Sequence, residues 1–115
     1  MSYIDNILVK ELIIDPTTIN SNDSTISADI MDRRDEFSIQ IDYDGGIGVD
    51  INLVLEVSND NISFVPMASQ NITDASGTHI FDAEGTGTNY LRVSFEVISG
   101  SIVVQRVLYM GKRNH

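Results

Sequence analysis

Val49, Ile51, Leu53, Leu55 and Val57 alternate with Asp50, Asn52, Val54, Glu56 and Ser58. Successive side chains of an extended chain point to opposite sides, so a repeat of two means a strand with one face on a core. Ser58-Asn59-Asp60-Asn61 follows as a tight turn. Asn and Asp bond their own backbone and accept positive φ better than other non-glycine residues. Ile62 to Met67 is then expected to return as the partner strand.

Two further stretches repeat the pattern. Phe37, Ile39, Ile41 and Tyr43 alternate with Ser38, Gln40, Asp42 and Asp44, and Asp44-Gly45-Gly46 turns the chain. Leu91, Val93, Phe95 and Val97 alternate with Arg92, Ser94, Glu96 and Ile98 before a Ser99-Gly100-Ser101 turn. The last strand, Ile102 to about Met110, reads as apolar on both faces. Ile102, Val104, Leu108 and Met110 fall on one, Val103, Val107 and Tyr109 on the other. Such a strand is covered on both sides, by its own chain or by a partner. Thr78 to Phe81 and Thr25 to Met31 are shorter strand candidates, while Thr17–Ser24 and Ser69–Gly77 read as polar loops. Ile4 to Ile14 fits helix or strand, and Pro16 ends either one.

These signals define an all-β chain, a jelly-roll-like antiparallel β-sandwich of roughly seven or eight strands. The 115 residues suit a single domain over residues 1–115. Residues 1–24 form an N-terminal arm and loop, and residues 112–115 a short tail.

A formal charge of −10 opposes phosphate backbones, and no Lys/Arg groove is present, so no nucleic acid is expected as a partner. No apolar run is long enough to span a bilayer, and no signal peptide is apparent. The absence of cysteine excludes disulfides and thiolate zinc sites and fits folding in a reducing cytoplasm.

The candidate chemistry is thin. Asp42-Tyr43-Asp44-Gly45-Gly46 has a D-x-D-G look, but Ile47, Val49 and Leu53 stand where calcium ligands would follow. Asp60 reads as a turn former. His79 sits on a strand and His115 ends the chain, with no G-x-S-x-G elbow to make a nucleophile. Gly85-Thr86-Gly87 lacks the Lys-Ser/Thr and the helix of a phosphate loop. The sequons at Asn22, Asn61 and Asn71 carry little weight without a secretory signal. Tyr3, Tyr43, Tyr90 and Tyr109 could form a sugar platform only if clustered and exposed; strand-edge positions are the plainer reading. No catalytic residue, cofactor or metal is expected, and the chain reads as no enzyme.

Phe37 to Ile41, Leu53 to Phe64, Tyr90 to Val93 and Ser99 to Val104 together resemble small virion proteins of tailed bacteriophages. The recurrent pattern there is an apolar strand ending in Ser-x-Asp-Gly, an aromatic three residues after the glycine, then Tyr-x-Arg-Val and a Ser-Gly-Ser/Thr turn. Ser58, Asp60, Phe64, Tyr90, Arg92, Val93, Ser99 and Gly100 match; Asn61 replaces the glycine and Phe64 a frequent tryptophan. The resemblance covers about residues 36 to 111 and implies a structural, non-enzymatic capsid-decoration, head-fibre or tail-associated protein. Its location would be the virion, assembled in the host cytoplasm. Its partners would be capsid or tail proteins and copies of itself, as a homo-oligomer such as a trimer. The expected interface is Val103, Val107 and Tyr109 on the last strand with Ile7, Leu8 and Leu12 on the arm. Arg33, Arg34, Arg92 and Arg106 are candidate ion-pair anchors. The alternative is a carbohydrate-binding or receptor-binding module on the same sandwich; a small hydrolase ranks third.

Overall fold

The computed structural model describes residues 7–13, 15–29, 36–45, 48–73, 76–84 and 88–112. The strands are β1 (Ile7–Ile13), β2 (Thr17–Ile19), β3 (Asp23–Ser24), β4 (Ala28–Asp29), β5 (Glu36–Gly45), β6 (Asp50–Ser58), β7 (Val65–Ile72), β8 (Ser76–Glu84), β9 (Tyr90–Ser99) and β10 (Ile102–Lys112). Every pairing is antiparallel.

The first sheet runs β1-β10-β5-β8, with β2 also on β10; the second runs β3-β9-β6-β7, with β4 also on β9. β1 covers Val107–Lys112 of β10 and β2 covers Ile102–Val104, so the two share one lane. β3 and β4 share another beside β9. Among the described residues the ten elements therefore fill eight lanes, four to a sheet, and the chain repeatedly crosses between the layers. That is a jelly-roll sandwich, as the alternation predicts.

The alternating residues meet between the sheets. Ile39 and Ile41 of β5, Ile51, Leu53 and Leu55 of β6, and Leu91 and Val93 of β9 are fully buried. Each such side chain contributes about 1.5–3 kcal/mol relative to exposure.

The last strand departs from its sequence reading. Val104 pairs with Tyr43 and Arg106 with Asp42, leaving Gln105 as an extra residue. This bulge flips the parity of the strand. Ile102 and Val104 before it, and Val107 and Tyr109 after it, all face the same core. The switch in phase puts Ile102, Val104, Val107 and Tyr109 on the core face and leaves Val103 and Leu108, both half-buried, with Met110 on the other. The strand carries apolar residues on both faces, with a different assignment from simple alternation. Met110, placed with Val104 by simple alternation, is exposed.

The N-terminal stretch is not a separate arm: β1 and β2 are sheet members, and Leu12 and Ile19 are core residues. Residues 1–6 lie outside the described residues. Ser69–Gly77, expected as a loop, supplies the second half of β7 and the start of β8. The β6–β7 return begins at Val65 rather than Ile62, because residues 59–64 are taken up by the turn.

The broken β3/β4 lane is completed by one backbone bond and by side chains. The Thr25 amide donates to the Val93 carbonyl (2.8 Å), and the Val93 amide donates to Thr25 Oγ1 (3.1 Å). The Val97 amide donates to Asn22 Oδ1 at 2.8 Å. Backbone groups that a continuous strand would satisfy thus find side-chain partners.

Candidate functional site

The register of β6 against its neighbours builds a polar solvent face on the second sheet. Glu56 lies opposite Arg92, Val54 opposite Ser94 and Asn52 opposite Glu96 on β9; Asn71 of β7 lies opposite Asn52. Directly opposed side chains on one face are close enough to bond. Arg92 Nε donates to Glu56 Oε1 at 2.8 Å, and the Ser94 hydroxyl donates to the same oxygen. Asn52 Nδ2 donates to Glu96 Oε1 (3.1 Å), and Asn71 Nδ2 to Asp50 Oδ1 and Asn52 Oδ1 (both 2.8 Å).

Phe64 lies over this face, its ring centroid 4.0 Å from the Arg92 guanidinium carbon. The turn that delivers it is held internally. The amides of Asp60 and Asn61 donate to Ser58 Oγ, which donates to Asp60 Oδ1. That oxygen also accepts the Ile62 and Ser63 amides at 2.9 Å each. These bonds hold the Asp60 carboxyl below the ordinary carboxylate value, the Ser63 amide contributing most, then Ile62 and the Ser58 hydroxyl. Asn61 takes φ 62°, as the turn reading requires.

Beside the Glu56–Arg92 pair lies an open depression of about 440 Å³, bordered by Asn22, Asp23, Val54, Pro66, Ser94 and Glu96. It offers carboxylates, amides, a hydroxyl and one guanidinium. Glu56 is committed to Arg92 and Ser94, and Glu96 to Asn52. The arrangement suits hydrogen bonding to a polar surface or polyol.

The first sheet's outer face has a smaller hub. Asp42 Oδ1 accepts from Thr78 Oγ1 (2.8 Å) and Gln40 Nε2 (3.1 Å), and Oδ2 lies 3.5 Å from Arg106 Nη2. Asp44 accepts from Gln105 Nε2 at 3.0 Å. The D-x-D-G carboxylates are thus occupied by neighbouring side chains. Among the described residues no group of three or more His, Asp or Glu is placed to hold a metal ion. The His79 ring meets Phe81 edge-on at 4.4 Å, and burial pushes its imidazole below the ordinary value.

The expected interface residues whose side chains are described do not assemble into one exposed surface. Leu12, Val107 and Tyr109 are in the core, and Val103 is half-buried. Ile7 and Leu8 stand opposite Lys112 and Gly111 of β10. Arg92 and Arg106 form the ion pairs above; Arg33 and Arg34, Gly85–Gly87 and His115 lie outside the described residues. The tyrosines make no cluster among the described residues. Tyr43 and Tyr109 are core, Tyr90 is half-buried, and Tyr3 lies outside.

Sequence reasoning missed the exposed edge of β7. Only Ile72 of that strand is buried, and Val65 and Met67 are 59% and 38% exposed. Ile62 in the preceding turn is 83% exposed. The uncharged run after Asp60 was the available signal.

A jelly-roll sandwich with one polar sheet face is the class that fold and site define. No family model and no curated protein matches the chain. Solved structures do match it in fold. The SPBc2 prophage-derived protein YomS aligns with TM-score 0.60 at 8% identity, over 94% of this chain and 94% of that one. The enzymatically active domain of bacteriophage CBA120 tailspike protein 4 aligns with TM-score 0.60 at 13% identity, over 96% of this chain and 20% of that one. The CBM22-1-GH10 modules of Clostridium thermocellum xylanase 10B, solved with xylohexaose, align with TM-score 0.53 at 11% identity. That match covers 96% of this chain and 27% of that one. The chain shares a β-sandwich fold with phage proteins and with carbohydrate-binding modules.

Proposed function

We propose that the chain is a non-enzymatic structural component of a bacteriophage virion, a capsid-decoration, head-fibre or tail-associated protein acting through protein–protein contacts. The observation that carries this reading is the match to the prophage protein, which spans 94% of each chain. One jelly roll accounts for the matched length of both, whereas the tailspike and xylanase matches are modules inside larger chains. The polar face of the second sheet supplies a surface for contact with a shell or tail. Mass spectrometry of density-purified particles from cells encoding the chain tests the reading. The chain should co-purify at a fixed ratio to the major capsid or tail protein. Recovery only from the soluble fraction overturns it.

A carbohydrate- or receptor-binding module is the second reading. It is favoured by the depression beside Glu56 and Arg92, with its amides and carboxylates. The absence of a tyrosine cluster among the described residues weighs against it. Affinity electrophoresis in soluble polysaccharides should show retardation that Arg92→Ala removes; uniform migration in every glycan ends this reading.

A further inference from the structure

Among the described residues β7 bonds β6 on one side and nothing on the other, so its outer N–H and C=O groups form an open template. Proteins ordinarily guard such edges with charge, proline or bulges. The other edge lanes carry charge: Lys10 and Glu11 in β1, Asp23 and Asp29 in β3 and β4, Asp82 and Glu84 in β8. The β7 edge does not. Residues 61–73 hold no charged side chain, in a chain with seventeen acidic and seven basic residues. Pro66 and a bulge at Met67, where Leu55 pairs with Ala68 and Glu56 with Pro66, both stand at the start of the strand, so Ala68 to Ile72 can pair without interruption.

We infer that β7 is a homodimer seam, in which two copies pair antiparallel, edge to edge, about a two-fold axis and join their second sheets. Charge selects the occupant. A molecule of net charge −10 meets like charge wherever it approaches its own copy, except along a strip such as this one. A basic partner would be drawn to the acidic lanes and faces instead. A two-fold places the same neutral strand on both sides, which makes the contact self-complementary and closed. The exposed Val65 and Met67 would then be partly covered. The inference goes beyond the virion reading: a decoration protein can be monomeric off its shell, so a monomer leaves that reading intact.

The test is light scattering on a sizing column with the full chain across about a hundred-fold dilution, paired with amide exchange at both ends of the series. The expected result is twice the 12.7 kDa chain mass at high concentration. The outward-facing amides of Ala68 to Ile72 should exchange about tenfold more slowly there than at low concentration. Ser69→Lys, at an exposed position opposite Val54, should leave a folded monomer. A monomer at every concentration overturns the inference. So does a dimer whose β7 amides exchange equally at both ends, or a folded Ser69→Lys that dimerises like the parent. If Ser69→Lys does not fold, the exchange result on the parent chain decides.

Discussion

Arg92 is clamped between Phe64 and Glu56: its guanidinium carbon lies 4.0 Å from the ring centroid and its Nε 2.8 Å from the carboxylate. The clamp ties the hairpin turn after β6 to β9 across the second sheet. The side chains of Arg92 and Glu56 are 32% and 16% exposed, so the pair is screened less than a fully exposed one. Arg92→Ala is expected to cost about 1–2 kcal/mol, since it leaves a largely buried carboxylate with the Ser94 hydroxyl but no cation. Phe64→Leu should cost about 0.5–1 kcal/mol, because leucine keeps most of the apolar area but has no ring face to attract the guanidinium. A double-mutant cycle by urea denaturation should show the two losses to be coupled; strict additivity would contradict the clamp.

Thr25 is a buried polar residue whose hydroxyl accepts the Val93 amide and donates to the Ile26 carbonyl at 2.8 Å. Thr25→Val keeps the shape and removes the acceptor, leaving a buried amide unpaired at a cost of about 1–3 kcal/mol. Thr25→Ser should retain most of the stability. Equal losses in chemical denaturation for Val and Ser would show that shape, not the bond, matters here.

The strands that alternate over nine or ten residues were legible because both their faces are regular. Ile39 and Ile41, Leu53 and Leu55, and Leu91 and Val93 are core as the pattern requires. Three things were not legible. The parity switch at Gln105 depends on pairing with β5, which lies far away in sequence. The β3/β4 lane is finished by the side chains of Asn22 and Thr25, so no strand pattern marks it. The return of the chain beside β6 was legible from the turn, but the extent of β7 past Met67 was not, because the strand has almost no buried face and without burial there is no alternation to read. Of the candidate site, Arg92 stood out as a cation, but its partner Glu56 follows only from the β6–β9 register.

Gly100 meets two independent limits. Its φ is 75°, and a Cβ there would stand 3.0 Å from the Gly48 carbonyl oxygen and 3.1 Å from the Val49 Cα. Both neighbours are backbone, and the Ser99 hydroxyl bonds the same carbonyl at 2.8 Å. Gly100→Ala is expected to lose about 1–3 kcal/mol, from left-handed strain plus displacement of the facing loop. Asn61, also at positive φ but exposed, separates the two causes. Asn61→Gly should be near neutral, and Asn61→Ala should show the strain alone at about 1 kcal/mol. Thermal melts of the three variants check the order.

Acid should weaken the fold in two steps of known sign. The folded value of His79 lies below 6.5, because burial disfavours the imidazolium. Its contribution is full above 6.5 and declines as pH falls below that value, since the unfolded chain takes the proton more readily. The folded value of Asp60 lies below 3.8, so its contribution is present above 3.8 and is lost as pH falls through the folded value. His79→Phe should flatten the first step in melting temperature against pH, and Asp60→Asn the second. Profiles unchanged by either substitution would exclude these groups as the source.

The bulge in β10 makes a sharper prediction about deletions. Val104 faces Tyr43 in the core, Arg106 faces Asp42 outside, and Val107 faces Ile41 in the core, with Gln105 inserted between. Removing Gln105 leaves Val104 inward, Arg106 outward and Val107 inward, which is ordinary alternation. The core assignment of Tyr109 also survives. Deleting Leu108 does the opposite: Tyr109, fully buried now, takes a solvent-facing place, and Met110 turns inward. The Gln105 deletion should fold with a loss of about 1–2 kcal/mol, from the Asp44 hydrogen bond and altered twist. The Leu108 deletion should not give a cooperative melt. Near-ultraviolet circular dichroism, which reports the packing of Tyr43 and Tyr109, should keep its native form in the first variant and lose it in the second. The reverse result would mean that the phase of the strand is set by the chain termini rather than by the bulge.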